Sequence, residues 1–210
     1  MKCTCFFTLC IFGITVAFAD QNDTLIGHLK QKGHRVGMGH CHTGKTTQPQ
    51  FLKQVVLDNP EIMTIAEIGF NAGYSSELFL ANSSAKVYAF DLGRFKYSKD
   101  AKEYIDNKYP DRHVFIKGNS LKTVPKYAQE HPDLKFDLIF IDGGHTYRSA
   151  VNDIQNMKAF AHEDTLVIID DLGMKGVKKA WEESIENNII TREEVIKSGH
   201  KKWTLCKYLF

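Results

Sequence analysis

The stretch EIGFNAGYSS, Glu67 to Ser76, decides the fold. It follows a short apolar run beginning at Thr64 and leads into YSSELFLA, which reads as a helix. Gly69 and Gly73 therefore stand between a strand and a helix. There they allow a tight turn and let a ligand approach without Cβ obstruction, as in the nucleotide-binding first turn of doubly wound sheets. Asp91 ends the next apolar run, AKVYAFD, about 20 residues further on, where an acidic side chain can accept hydrogen bonds from both hydroxyls of a ribose. A loop glycine or a strand-end aspartate is common alone; the two in register point to a nucleoside.

Outward from this stretch, short apolar runs alternate with helical patterns. TIAEIG, AKVYAFD, HVFIKG, FDLIFIDGG and TLVIIDD read as buried strands, each ending in Gly or Asp. Between them lie helical segments: YSSELFLA, one around Lys99 to Lys108, one around Leu121 to Gln129, and one from Thr146 to Phe160. In the last, Tyr147, Ala150, Val151, Ile154 and Met157 recur at spacings of three and four. After a further helix near Val177 to Glu186, REEVIKSGHKKWTLCKYLF has two strand-like runs separated by Ser-Gly-His, a terminal hairpin. The expected fold is α/β: a Rossmann-like doubly wound sheet of seven strands, mostly parallel with an antiparallel C-terminal strand. A composition of 43% hydrophobic and 25% charged residues suits one globular domain, placed at residues 48–210.

The N-terminus reads differently. A single Lys2, an apolar run from Cys5 to Ala19 and a small-residue site at Ala17-Phe18-Ala19 have the form of a secretory signal peptide over residues 1–19. The run is shorter than the roughly 20 residues a membrane span requires. Residues 20–47 form an N-terminal arm. With 27 Lys and Arg against 25 Asp and Glu, nothing argues for nucleic acid or for a membrane partner after cleavage. The expected location is the secretory pathway, secreted or in the ER or Golgi lumen. Sequons at Asn22 and Asn82 agree with a glycoprotein. Of five cysteines only Cys41 and Cys206 survive cleavage, and they could form one disulfide or remain separate thiols.

GHCHTGKT, Gly39 to Thr46, satisfies the phosphate-loop pattern and raises a nucleotide triphosphatase as an alternative. Its context fails, because the preceding HLKQKGHRVGM is polar and glycine-broken and no strand feeds the loop. Pro49 does suit the first turn of a helix capped by Thr46 or Thr47. His40, Cys41 and His42 are too close in sequence to converge on one metal ion.

Taken together, EIGFNAGYSS, Asp91, GNS at Gly118 to Ser120, FDLIFIDGGHTY and LVIIDDL resemble a class I S-adenosylmethionine-dependent methyltransferase. The resemblance is nearest to the small metal-dependent O-methyltransferases of the catechol, caffeoyl-CoA and macrolide-sugar type, and runs from about Gln48 to the C-terminus. It implies that Glu67, Gly69 and Gly73 line the methionine end of S-adenosylmethionine. Asn71, Ser75 and Asp142 also belong to that cofactor site. Asp91 would hold the ribose, with Asn119 or Ser120 beside the adenine; Asn119 departs from the acidic residue often found there.

Asp142 closes the fourth strand, and Asp170 and Asp171 the fifth. If those strands are neighbours, three carboxylates meet, and a hard divalent cation would relieve their repulsion. The resemblance implies Mg²⁺, or Mn²⁺ or Ca²⁺, held by Asp142, Asp170 and Asp171; otherwise these carboxylates cap strands and helix starts. His145 in DGGH is the candidate base, since imidazole titrates near neutral pH. The expected activity is methyl transfer to a hydroxyl of a small molecule or sugar, with His145 and Asp142 catalytic. S-adenosylmethionine is made in the cytosol, so a secreted, non-catalytic binding protein on the same fold is the competing reading.

Overall fold

A computed structural model describes residues 24–36 and 45–210. Seven strands form one sheet: β1 (Thr64–Ile68), β2 (Lys86–Asp91), β3 (His113–Lys117), β4 (Leu138–Ile141), β5 (Leu166–Ile169), β6 (Ile196–Ser198) and β7 (Lys201–Lys207). Their order is β3-β2-β1-β4-β5-β7-β6, with β1 to β5 parallel. Only β7 runs against its neighbours, pairing antiparallel with both β5 and β6. The sheet is thus the Rossmann-like arrangement read from the sequence. The parallel strands are continuous apolar runs, as strands covered on both faces must be.

Side chains alternate along each strand and so sort into two cores. On one face, Ile65, Val87, Ala89, Leu138, Phe140, Ile168 and Trp203 pack under α1 (Leu25–Gln31), α2 (Gln48–Asp58), α3 (Tyr74–Asn82) and α4 (Lys96–Lys108). On the other, Ala66, Ile68, Phe90, Ile139, Ile141, Val167 and Ile169 pack against α5 (Ser120–Glu130), α6 (Tyr147–Met157) and α7 (Lys175–Glu186). α6 ends in a 3₁₀ turn, Lys158–Phe160, completing the segment expected from the sequence.

The N-terminal region contains more structure than an arm. Thr24 caps α1 by accepting from the Gly27 N–H at 3.0 Å, and Leu25 and Leu29 are buried against the α4 side of the sheet. Thr47 precedes α2, Pro49 occupies its first turn, and the Thr47 N–H donates to Ser198 Oγ at 2.8 Å. That contact ties the chain entering α2 to the C-terminal hairpin. Among the described residues no strand precedes α2.

The signal peptide, Asn22, His40, Cys41, His42 and most of GHCHTGKT lie outside the described residues. Cys206 is buried on the α5–α7 side of β7, and burial pushes its thiol up to about 12. The Asn82 side-chain amide donates to the Leu78 carbonyl at 2.8 Å. Among the described residues no helix is long and apolar enough to cross a membrane.

Trp203 is fully buried on β7, its ring 5.5 Å from that of Phe51 on α2. Trp203→Ala is expected to cost about 3–5 kcal/mol, read as a lowered midpoint of urea unfolding with an unchanged slope.

Candidate active site

The carboxyl ends of β1, β2, β4 and β5 build the site. The Asp142 N–H donates to the Ile68 carbonyl at 2.9 Å and the Asp170 N–H to the Ile141 carbonyl at 3.0 Å. Gly69, Asp142 and Asp170 therefore stand on successive rungs where the sheet ends. Gly69 has φ +102°, and a Cβ there would meet the Asp142 carbonyl oxygen at 2.1 Å. Glycine is required both for the backbone angle and for the closeness of the two loops.

Gly73, at φ +77°, caps α3. Between the glycines, Asn71 takes a left-handed conformation at φ +50°. Three contacts hold it: its N–H donates to Asp91 Oδ2 at 3.1 Å, its Oδ1 accepts from the Tyr97 hydroxyl at 2.7 Å, and its carbonyl accepts from Ser98 Oγ at 2.5 Å. Asp91 Oδ1 accepts from the Gly93 N–H at 2.6 Å. Each Asp91 oxygen keeps acceptor capacity beyond these bonds, which suits a ribose diol. Gly118 donates to the Asp91 carbonyl at 2.8 Å, bringing the Asn119–Ser120 turn beside it. There Asn119 is the N-cap of α5, accepting from the Leu121 N–H at 3.1 Å.

Glu67 takes a different place from the one the resemblance implied. Its side chain has no exposure and accepts from the hydroxyls of Ser75 and Ser76. It clamps the first turn of α3 onto β1, and burial raises its carboxyl to about 7 against those two hydroxyls. Ser75 faces the cleft that the clamp shapes. That cleft encloses about 380 Å³ open to solvent, between Gln48, the Gly69–Ser75 loop, Phe140, Asp142 and Lys201.

Asp142 also lines a second, smaller hollow with His145, Asp153, Asp170 and Asp171. The three expected carboxylates do meet here, but with a cation already among them. Lys201 Nζ donates to Asp170 Oδ2 at 2.6 Å and to Asp171 Oδ1 at 2.9 Å. The Asp171 N–H donates to Asp170 Oδ1 at 2.6 Å, and His145 Nε2 lies 2.6 Å from Asp171 Oδ2. These contacts, with Asp171 at φ +57°, leave neither carboxylate an oxygen without a protein partner.

Burial, then the neighbouring Asp170, push Asp142 well above the usual carboxylate range. Asp171, by contrast, is held low by His145 and Lys201 despite its burial. The hydrogen bond to Asp171 raises His145. Asp142, His145 and Asp171 each offer a ligand atom within 4.8 Å of the others. A divalent ion bound there would lie beside the Lys201 ammonium that Asp171 already holds, and the two cations would repel. The triad Asp142, Asp170, Asp171 does not fit a metal in this arrangement.

Lys201 carried no signal in the sequence, being one of two adjacent lysines some 30 residues from its partners. Asp153 was also missed: it is buried, and burial raises it to about 6 against the neighbouring Ser120 hydroxyl.

The family model described as a methyltransferase domain matches residues 66–172, just over half the chain, and the chain belongs to that family. No curated protein matches. Among solved structures, the O-methyltransferase from Bacillus cereus in complex with SAH is 17% identical at a TM-score of 0.70, covering 92% of this chain and 94% of that one. The SAH-bound Podospora anserina methyltransferase PaMTH1 is 15% identical at 0.69, covering 89% and 88%. CalS11, a TDP-rhamnose 3'-O-methyltransferase of calicheamicin biosynthesis, is 18% identical at 0.58, covering 90% and 87%. These likenesses establish the fold: a class I methyltransferase sheet with an antiparallel last strand.

The Glu67 clamp is testable through pH. Its folded pKa of about 7 lies above the ordinary 4.5, so the folded state binds the proton more tightly. Stability then falls as pH rises from 4.5 to 7 and stays lower above that, by about 3 kcal/mol. Glu67→Gln keeps the shape without the charge. It should melt above wild type at pH 8 in calorimetry, with the difference vanishing toward pH 4.5.

Proposed function

We propose that this protein transfers a methyl group from S-adenosylmethionine to a hydroxyl of a small-molecule or sugar acceptor. One observation carries the reading: Asp142 borders both hollows and so joins the glycine-loop cleft to the His145–Asp171 pair. Ligand site and base thus share one wall. The family and the SAH-bound neighbours support the donor, and the sugar methyltransferase among the neighbours supports the acceptor class.

Gly69, Asn71, Gly73 and Ser75 would hold the methionine end, Asp91 the ribose, and Asn119 or Ser120 the adenine. When bound, S-adenosylmethionine supplies an electrophilic methyl group with a thioether as leaving group. An alcohol is a poor nucleophile until its proton is removed. His145 takes that proton: with Nε2 held by Asp171, Nδ1 is the nitrogen left to accept it, and Asp171 stabilises the imidazolium that forms. Asp142, kept toward its neutral form, is a hydrogen-bond donor to the acceptor at the junction of the two hollows.

The segment Met1 to Ala19 further supports entry into the secretory pathway, where the donor would have to be imported. Edman sequencing of protein secreted by a eukaryotic host should begin at Asp20.

Asp91→Ala should weaken S-adenosylmethionine binding in isothermal titration about tenfold to a hundredfold; unchanged affinity refutes the ribose assignment. Wild-type protein that binds no donor would instead favour a non-catalytic binding protein. His145→Ala should keep donor affinity while lowering kcat about a hundredfold or more, measured with an acceptor found by screening diols and sugars.

A further inference from the structure

The expected ligands of a divalent ion are engaged by the chain's own cation, and this disagreement carries an inference that rests on the methyltransferase reading. Lys201 begins β7, and in the period-two alternation of a strand it shares the face of Trp203 and Leu205, the α2 side of the sheet. The turn through Gly199 and His200 pairs Ser198 with Lys201, and Leu172 N–H donates to the Lys202 carbonyl at 2.8 Å. The start of β7 is thereby fixed against the end of β5. The lysine is 7% exposed, and its ammonium reaches into the carboxylates while lining the cleft with Gly69, Ser75 and Gln48.

Mg²⁺ needs near-octahedral oxygen ligands at about 2.0–2.1 Å. Asp170 and Asp171 give their oxygens to Lys201, His145 and a backbone N–H, so such an ion would have to sit against a buried ammonium and compete with it for the same two carboxylates. The Lys201 ammonium already faces the carboxylates of Asp170 and Asp171, His145 Nε2 lies against Asp171, and burial keeps Asp142 toward its neutral form. The charge balance that a metal would supply is built into the chain. A positive group beside the donor cleft also favours the oxyanion character an acceptor hydroxyl develops as its proton leaves.

We infer that Lys201 occupies the cation position of this site, so that its ammonium does the electrostatic work of a divalent ion and the protein acts without added metal.

The test is Mn²⁺ titration of the full chain followed by electron paramagnetic resonance. It requires no methyl donor and so decides the matter whether or not the proposed activity holds. Wild type should leave Mn²⁺ free in solution. Lys201→Ala vacates the position without removing a carboxylate and should gain at least about tenfold in Mn²⁺ affinity. Lys201→Gln, which keeps a hydrogen-bond donor, serves if the alanine variant does not fold. Where turnover is detected, chelator should leave the wild-type rate unchanged, and Lys201→Ala should become dependent on Mn²⁺. Stoichiometric Mn²⁺ binding by wild type that Asp170→Asn weakens, or no gain in a folded Lys201 variant, overturns the inference. Failure to bind S-adenosylmethionine in a separate titration overturns the methyltransferase reading alone.

Discussion

The bond between the Lys201 ammonium and the carboxylates of Asp170 and Asp171 joins the two halves of this molecule's logic. A parallel sheet brings its strand ends, and whatever acids they carry, to one edge. Three carboxylates there are mutually repulsive and poorly solvated. The chain meets the cost by sending one strand back antiparallel, so that the start of β7 lies where β5 ends. Breaking that pair by removing only the lysine would leave buried charge without a partner, the expensive way to lose a salt bridge.

The same edge also explains how the Gly69–Ser75 loop is held. Glu67 is the residue of β1 directed toward α3, and its carboxylate spans the hydroxyls of Ser75 and Ser76. Asp91, one strand over, accepts the Asn71 N–H and holds the loop from the other side. Two acids thus fix a turn whose tip, Asn71, sits in a left-handed conformation. A site preorganised in this way loses little to reorganisation when a ligand enters.

Much of the fold was legible because its signals are local. The apolar runs, the glycines between β1 and α3, and the three-and-four spacing in α6 each lie within one element and its turn. Whether the strands ending in Asp142 and Asp170 are neighbours stayed conditional in the sequence, and the β4–β5 pairing makes them so. What escaped notice depends on contacts across the chain. α1 was hidden because its burial rests on Leu25 and Leu29 within a polar, glycine-containing stretch. Glu67 reads as a ligand contact until the serines of α3 are seen to take both its oxygens. Choosing Lys201 over Lys202 requires the hairpin register, since a slip of one residue would send the other side chain inward.

Acids at strand ends are visible in a single chain; the group that balances them need not be. A divalent ion and an ammonium answer the same electrostatic demand, but they differ in what they ask of the oxygens. The ion takes lone pairs from several directions at once, whereas the ammonium donates protons along three. Asp170 and Asp171 here are satisfied by donors from a side chain on another strand, an imidazole and a backbone N–H, a pattern that fits donation. The carboxylate triad therefore marks where positive charge is needed, and the hairpin determines which species supplies it.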